Sequence, residues 1–414
     1  MADAHKTALD DRLSALSMPE GGGWLGRARK DALARLGAVG LPVRRDEYWR
    51  YTDPRALTRV EAPEGADVDA GDPFDGLDAV TITVTDGVGG DLPSLPEGLE
   101  VQRLAEAGAP DIHWAKDLYG ALEAAGSRPV LRPLATLNSA FATDGLVIRA
   151  TGPVGTPVRI VMAGRGDAIL HHVVKVEAGA SLTLIETGTP GARANTAIEV
   201  DVAEGGVLHH LRVDGGDDRH LNAHLFARLG AEATLRSFAM ARNGTLTRNE
   251  STVEFTGDDA AATLAGAVVG EGRVHHDDTV FVTHGALRCE SRQVYKKVLR
   301  SGATGVFQGK ILVKEGAQKT DGYQISQSLL LDDDAVFLAK PELEIYADDV
   351  ACSHGSTTGA IDETALFYLR SRGVPEARAV AMLVLSFLAE AVEEVDDAGL
   401  QERLLEHLEG WLAA

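Results

Sequence analysis

Apolar residues recur at helical spacing near the N-terminus of the chain. Between about Ala8 and Gly37 they lie three or four residues apart, which is the repeat of one face of an α-helix. Met18-Pro19 and the glycine run at 21–23 interrupt this pattern. A loop-rich stretch with one short strand, Ala79 to Val84, follows. We therefore predict a small helical and mixed unit over residues 1–128.

From Pro129 the pattern changes to short runs in which apolar and polar residues alternate. VRIVMAG, HHVVKVEAG and SLTLIETG are rich in Val, Ile, Leu and Thr, as β-strands are. Turn-like glycines recur about every 26 residues, a period typical of the coils of a β-solenoid: Gly179, Gly205, Gly230 and Gly257. The alternative is an ordinary sandwich or barrel, in which turns come about every 8 to 12 residues. The spacing favours a solenoid over residues 129–359.

The β pattern ends near Gly359, and helical signals replace it. Asp362 is a suitable N-cap for the segment ETALFYLRSR, Gly373 a stop signal, and Pro375 the first residue of a second helix. A third amphipathic segment runs from about Ala398 to Leu412. Residues 360–414 are thus predicted to form a helical bundle that caps the solenoid or docks a partner.

One run carries a resemblance to a known family: KPELEIYADDVACSHGSTTG, Lys340 to Gly359. Together with upstream segments it resembles the SufD branch of the SufB/SufD family, which assembles iron-sulfur clusters in the SUF system. Those segments are LPVRRDEYWRYTDP, PLATLNSAFATDG, DDTVFVTHGALRCESRQVYKKVL, GVFQGKILV and AQKTDGYQISQSLLL. RRDEYWRYTDP and Cys352 favour this branch over SufB. The resemblance implies a mainly β protein built on a right-handed parallel β-helix.

The resemblance also implies a function without catalysis. Members of this branch are scaffold subunits of the SufBCD complex, so pairing with SufB and binding of the ATPase SufC by residues 360–414 are expected. SufB would extend the last strands of the solenoid, and the same edge would allow two isolated copies to form a homodimer. A transient iron-sulfur cluster would be shared with SufB. These residues do not decide whether a flavin binds the complex.

Cys352 and His354 are the first candidates for ligands. Two residues apart on a strand, their side chains leave the same face roughly 7 Å from each other. Thiolate and imidazole suit zinc and iron-sulfur species, although a small buried cysteine and a hydrogen-bonded histidine would give the same pattern. The resemblance maps His354 onto a position associated with cluster formation. Two cysteines cannot hold a four-cysteine cluster, so further ligands would come from a partner.

His284 and Cys289 are secondary candidates within the family-like segment TVFVTHGALRCES. Cys289 is expected to fill the core. The chain has 13 histidines, and most of those in the solenoid are expected at the surface or in ladders between strands. Neighbours such as His171 and His172 would point to opposite faces of a strand.

Charge and cysteine content narrow the set of partners. Lys and Arg number 40 against 62 Asp and Glu, which gives a net charge of −22 at pH 7. So acidic a surface disfavours nucleic acids and anionic membranes. No stretch approaches the roughly 18 uninterrupted apolar residues of a membrane span. The first 16 residues contain no apolar h-region, so we do not expect secretion. Two cysteines make no disulfide framework, and we expect a cytoplasmic protein.

Catalytic motifs are missing from the sequence. GVFQGKI, Gly305 to Ile311, has the wrong spacing for a phosphate-binding loop. GxSxG, HExxH and a strand-linked GxGxxG are also absent. Two alternatives to the scaffold interpretation stay open. One is the role of principal cluster holder, as in SufB. The other is a carbohydrate-active β-helix enzyme, which would need converging carboxylates and export.

Overall fold

The computed structural model describes residues 2–63, 71–216 and 218–413. It is a mainly β protein whose solenoid has about seven turns, with helical units at the N- and C-terminal ends. The predicted fold class is confirmed. Helices α1 to α9 are Ala2–Leu13, Gly23–Val39, Arg55–Thr58, Leu104–Ala107, Ala121–Gly126, Pro133–Phe141, Glu363–Ser371, Glu376–Val392 and Ala398–Ala413. In the described residues, no helix is both long and apolar enough to cross a membrane.

The strands are short and alternate between two sheets. Strands β1 to β10 are Val80–Thr85, Val88–Gly89, Leu99–Arg103, Leu146–Ala150, Val158–Ala163, Asp167–Val176, Ser181–Thr189, Arg193–Val202, Val207–Gly215 and His220–Leu229. Strands β11 to β19 are Thr234–Arg242, Leu246–Phe255, Ala261–Glu271, His275–His284, Glu290–Arg300, Thr304–Val313, Asp321–Leu330, Val336–Ile345 and Ala351–Gly359. The even-strand sheet contains the even-numbered strands from β4 to β18, with β3 at its end. The odd-strand sheet contains the odd-numbered strands from β5 to β19, followed by β1 and β2.

Successive coils pair in parallel and in register. On the inner face of the odd-strand sheet, Leu182, Leu208 and Leu235 are stacked partners in three consecutive coils. All three are buried in the main apolar core, which lies between the two sheets. A parallel sheet needs cover on both faces, and here the inner face of each sheet is covered by the other.

The outer faces are covered by the terminal helices. The N-terminal unit packs on the even-strand sheet, where Leu36 and Leu137 share a cluster with Ile169 of β6. On the odd-strand sheet, Val384 and Leu388 of α8 pack with Val294 and Val298 of β15, among others. Side chains that point away from the lumen are therefore buried as well.

The helices that cover the outer faces correct the expectation that most histidines of the solenoid lie at the surface or in ladders between strands. His171 and His172 do point to opposite faces, but both are fully buried. Nδ1 of His171 lies 2.9 Å from Oδ1 of Asn138 on α6, whereas Nδ1 of His172 accepts a hydrogen bond from the backbone N–H of Leu146. Sequence patterns alone did not show that helices cover the outer face.

The lumen has a polar half as well as an apolar one. Lys297, 1% exposed in its side chain, pairs with Asp278, and its Nζ lies 2.8 Å from Nδ1 of His276. Burial, with the charge of Lys297, lowers the pKa of His276 to about 3. His276 is therefore neutral at physiological pH and accepts the hydrogen bond from the ammonium group.

The N-terminal residues also extend the two sheets. The predicted strand at 79–84 is confirmed as β1, one residue further on, and it pairs in parallel with β5. Strand β3 pairs antiparallel with β4. The first coil is thus continuous with the N-terminal unit, whereas β18 and β19 form the opposite end.

The C-terminal helices begin and end close to the predicted residues. The carboxylate of Asp362 accepts hydrogen bonds from the backbone N–H groups of Thr364 and Ala365, as an N-cap does. Gly373 has a φ of +83° after α7. The second helix begins at Glu376 rather than Pro375, which is its N-cap residue.

The periodic glycines lie at one corner of the solenoid, between an even strand and the next odd strand. Gly179 and Gly205 have φ of 66° and 62°, a region that favours glycine. At Gly257 the reason is close approach, because an added Cβ would lie 2.0 Å from the backbone nitrogen of Ala231 one coil earlier.

Replacing Gly257 with Ala should destabilise the solenoid. The added methyl group forces apart two stacked backbones, and we expect the free energy of unfolding to fall by about 1–3 kcal/mol. Urea unfolding followed by circular dichroism measures this change. Gly316→Ala is the matched control, because its Cβ would meet nothing within 4 Å. Equal unfolding midpoints for the two variants would contradict this account.

Candidate functional site at the open end of the solenoid

Strands β18 and β19 end the two sheets without a further neighbour. Among the strands of the described residues, β18 pairs only with β16, and β19 only with β17. None of the residues of these two strands is buried, whereas β14 and β15 are buried over most of their length. Each last strand therefore presents one edge of unpaired backbone groups.

The inner face of β18 is apolar. Phe337, Ala339, Pro341, Leu343 and Ile345 are in register with the inward-facing residues of β16. Ile345 is 40% exposed, although its partner one coil earlier, Val313, is fully buried. The other four residues of this row are half-buried, so the row is a partly exposed layer of solenoid core that a further coil would cover.

The inner face of β19 is polar. Cys352, His354, Ser356 and Thr358 are in register with residues of β17 that are buried in the lumen. The structure thus places both predicted ligands on one face of the last strand of the odd-strand sheet. Polar ligands and the apolar row of β18 lie on opposite walls of the open lumen.

Cys352 is half-buried. Its sulfur lies 3.2 Å from the position that a Cβ of Gly322 would occupy, so the glycine makes room for the thiol. Burial, with the charge of Asp321, raises the pKa of Cys352 above its ordinary value. The thiol is therefore protonated near neutral pH, and binding of a metal would displace the proton.

His354 is exposed and lies above a buried amide. Its register partner in β17 is Gln324, whose own partner in β15 is Gln293. Both glutamines are fully buried, and their amide atoms have no hydrogen-bond partner in the described residues. No sequence pattern marks these two residues, because only the coil register brings three positions about 30 residues apart into one column.

Cys352 and His354 supply two ligands and no more. The described residues contain no group of three or more His, Cys, Asp or Glu side chains that could hold a metal ion. A tetrahedral metal site or an iron-sulfur cluster generally takes four protein or substrate ligands. A metal site that included these two residues would need further ligands from a partner.

His284 and Cys289 lie elsewhere, in the core. The ring of His284 stacks on Phe255 with centroids 4.6 Å apart, and burial lowers its pKa to about 4. The Cys289 thiol donates to the carbonyl oxygen of Gly257 at 3.3 Å, and burial raises its pKa. The structure does not bring this pair into a ligand cluster with β19.

The N-terminal segment braces the outer face of β18. The hydroxyl of Tyr48 donates to Oε2 of Glu342 at 2.9 Å, and Nζ of Lys340 lies 4.2 Å from the centre of the Tyr48 ring. Glu47 pairs with Lys340 at 2.7 Å. The segment RRDEYWRYTDP therefore holds the last even strand in place through Glu47 and Tyr48.

Comparison with known proteins identifies the family. Residues 160–387 match the family model described as SUF system FeS cluster assembly, SufBD core domain. The match covers more than half of the chain. The chain belongs to the SufBD family. The resemblance noted in the sequence is confirmed.

Relatives within the SufBD family cover most of the chain. The iron-sulfur cluster assembly protein SufD of Escherichia coli K12 is 28% identical over 392 residues, 90% of this chain and 90% of that protein. An iron-sulfur cluster assembly SufBD family protein of Mycobacterium tuberculosis is 29% identical over 386 residues, 90% of this chain and 89% of the relative. SufD of Bacillus subtilis is 27% identical over 289 residues, 67% and 66% of the two chains. The chain is thus a SufD-like iron-sulfur cluster assembly protein.

The raised pKa of Cys352 predicts slow alkylation. Only the thiolate reacts, so iodoacetamide should label Cys352 more slowly near neutral pH than it labels a free cysteine. The labelling rate should still increase above pH 9. Mass spectrometry of the labelled peptide across a pH series measures this. Cys352→Ser is the control, since the buried Cys289 should stay unlabelled in the folded protein. A rate that levels off below about pH 8.5, the ordinary thiol pKa, would disagree with this prediction.

Proposed function

We propose that this chain is a non-catalytic scaffold subunit of the SufBCD complex. In this proposal the open end of the solenoid pairs with SufB, and the C-terminal helices bind the ATPase SufC. The observation that carries the proposal is the open end itself, where unpaired strand edges and two ligand side chains occur together. A cytoplasmic location accords with two cysteines that are both free thiols.

Pairing with SufB is supported by the two surfaces that β18 and β19 expose. A solenoid partner that adds one coil would hydrogen-bond to both strand edges. It would also cover the apolar row that includes Phe337 and Leu343. The hydrogen bonds give affinity along the whole strand, and the apolar row fixes which face of the added strand points inward.

The shared cluster is supported by the geometry of β19. Cys352 and His354 face the lumen, where side chains from an added coil would meet them. The cluster is the cargo of the complex, and SufB thiolates would complete its ligands. His354 needs no rearrangement to reach this space because it is exposed, whereas the Cys352 thiol must first lose its proton.

Binding of SufC is supported by an exposed apolar patch on the C-terminal helices. Phe367 is 73% exposed, Tyr368 55% and Met382 45%. The opposite face of α8 packs on the odd-strand sheet through Val384 and Leu388, so the helices are held firmly while the patch faces solvent. Exposed apolar patches of this kind commonly mark protein interfaces.

Two variants separate assembly from cluster formation. Ala339→Arg places an unpaired charge in the apolar row, and we expect SufB binding to weaken more than about tenfold. His354→Ala should leave SufB binding unchanged but suppress cluster maturation, because an exposed imidazole contributes little to packing. Cys352→Ala should have a milder effect. Co-purification with SufB and SufC measures assembly, and the visible absorption of clusters in the reconstituted complex measures maturation.

The matched control for Ala339→Arg is Ala163→Arg, which introduces the same charge at an exposed position at the end of β5, away from the open end. It should assemble as the unmodified chain does. If the Ala339→Arg variant binds SufB as tightly as the unmodified chain does, the open end is not the surface that pairs with SufB. A His354→Ala complex that matures clusters at the native rate would show that the shared site lies elsewhere.

The SufC surface is best tested by substitution rather than by truncation, because removing α8 would uncover Val294 and Val298. Phe367→Ser combined with Met382→Ser should weaken SufC binding at least about tenfold, as expected when hot-spot residues are removed. Ile112→Ser, at a position 82% exposed on the N-terminal unit, is the matched control. Calorimetric titration with SufC measures the affinity of each variant. If the double variant and the control bind SufC equally well, this patch is not the SufC-binding surface.

A further inference from the structure

A cavity of about 480 Å³ lies on the outer face of the even-strand sheet. Its floor includes the outward-facing side chains of Phe226, Phe281 and Leu312, and its roof is formed by Leu122 of α5 and Pro129 in the loop before α6. The volume falls within the range of about 300 to 1,000 Å³ that is usual for small-molecule sites. Apolar and aromatic walls of this kind accept a flat ring.

The charged lining of the cavity is mostly cationic. Five cations and two carboxylates contribute to it: Arg128, Arg132, Arg228, Lys310, Lys314, Glu254 and Glu344. This local excess is opposite in sign to the net charge of −22 on the whole chain. An anion would be attracted here and repelled by most of the remaining surface.

The lining cations differ in their partners. Lys310 pairs with Glu344, and Lys314 pairs with Glu254 at 2.9 Å. Arg228 pairs with Asp201 at 2.7 Å, whereas Arg128 forms no ion pair with any residue that the structure describes. The two lysines already hold carboxylates at the cavity, and an anionic ligand would add to or replace these contacts.

Buried polar atoms without partners point to a ligand. Arg132 is only 4% exposed. One of its Nη atoms donates to the carbonyl oxygens of Gly126 and Val130, whereas Nε and the other Nη atom form no hydrogen bond in the described part of the chain. The guanidinium lies 4.6 Å from the centre of the Phe281 ring, with Glu250 at 3.7 Å. Oγ1 of Thr252, also in the lining, is buried without a hydrogen bond. Unsatisfied buried donors are rare in proteins, and a bound anion would satisfy these.

We propose that this cavity binds a small anionic ligand with a flat apolar ring, of the size and chemistry of a mononucleotide. The ring would lie on the apolar floor over Leu312, beside the stacked pair of Arg132 and Phe281. The phosphate or carboxylate group would accept from Arg128 and Arg132, since guanidinium groups bind such oxyanions through paired N–H donors.

This site is separate from the ligand candidates of β19, although Glu344 of β18 contributes to its lining. It lies on the outer face of the even-strand sheet, beneath α5, whereas Cys352 and His354 lie on the inner face of the odd-strand sheet. Ligand binding is therefore testable on the isolated full-length chain, and its failure would leave the scaffold proposal untouched.

The test uses the fluorescent anion 8-anilinonaphthalene-1-sulfonate as the probe and adenosine monophosphate as the competitor. We expect adenosine monophosphate to displace part of the bound probe and so to lower its fluorescence. The same concentration of adenosine, which lacks the phosphate, should not do so. Thr283→Trp fills the cavity and should abolish the displaceable fraction. Arg128→Gln should raise the concentration of adenosine monophosphate that displaces half of the displaceable probe by about tenfold. This is the loss of affinity typical of one charge-assisted hydrogen bond.

Thr183→Trp is the matched control, on the outer face of the odd-strand sheet and similarly half-buried. It should retain the displaceable fluorescence. Circular dichroism verifies that each variant is folded, and Arg128→Gln provides an independent test if Thr283→Trp does not fold. The proposal is overturned if the unmodified chain has no displaceable fraction, if adenosine competes as well as adenosine monophosphate, or if a folded Thr283→Trp variant retains the fraction. If adenosine monophosphate displaces the probe from the Arg128→Gln variant as readily as from the unmodified chain, Arg128 does not contact the anion.

Discussion

Each coil of the solenoid obtains its backbone hydrogen bonds from the coils on either side of it. Parallel pairing in register stacks like positions into columns, such as Leu182, Leu208 and Leu235, so that the core grows by repetition. The same dependence makes the two ends different from the middle. At the N-terminal end the sheets finish with β2 and β3, which pair antiparallel with β1 and β4. At the other end β18 and β19 are parallel strands that no further described strand follows.

The unfinished end unites the features on which the proposed function rests. The unpaired edges and the partly exposed apolar row arise because no further coil follows β18 and β19, and the two predicted ligands lie on the same strand end. Such an edge invites pairing with any exposed strand, and the brace of Tyr48 and Lys340 on the outer face limits how far the last even strand can move. A partner that completes the coil would thereby also complete the ligand set around Cys352 and His354.

Helical cover on both outer faces explains why so many charged groups are buried. Arg248 and Asp277 are both fully buried on the outer face of the even-strand sheet, with the guanidinium 4.1 Å from the centre of the Trp49 ring. Buried pairs of this kind are weak contributors to net stability, but losing one partner is costly. We infer that they fix the position of the N-terminal unit on the sheet. That unit in turn forms the roof of the cationic cavity.

The sequence by itself determined the elements and the repeat. Glycine spacing and strand alternation predicted the solenoid, and Asp362 and Gly373 marked the C-terminal helices, because turns, caps and periodicity are local properties of the chain. It also placed Cys352 and His354 on one strand face. Only the tertiary structure decided which faces are covered, so it alone buried His171 and aligned Gln293, Gln324 and His354. It alone also assembled a cavity from Leu122, Phe226 and Phe281. Coil register and helix packing join residues that are far apart in the chain, and no local pattern encodes which distant residues will meet.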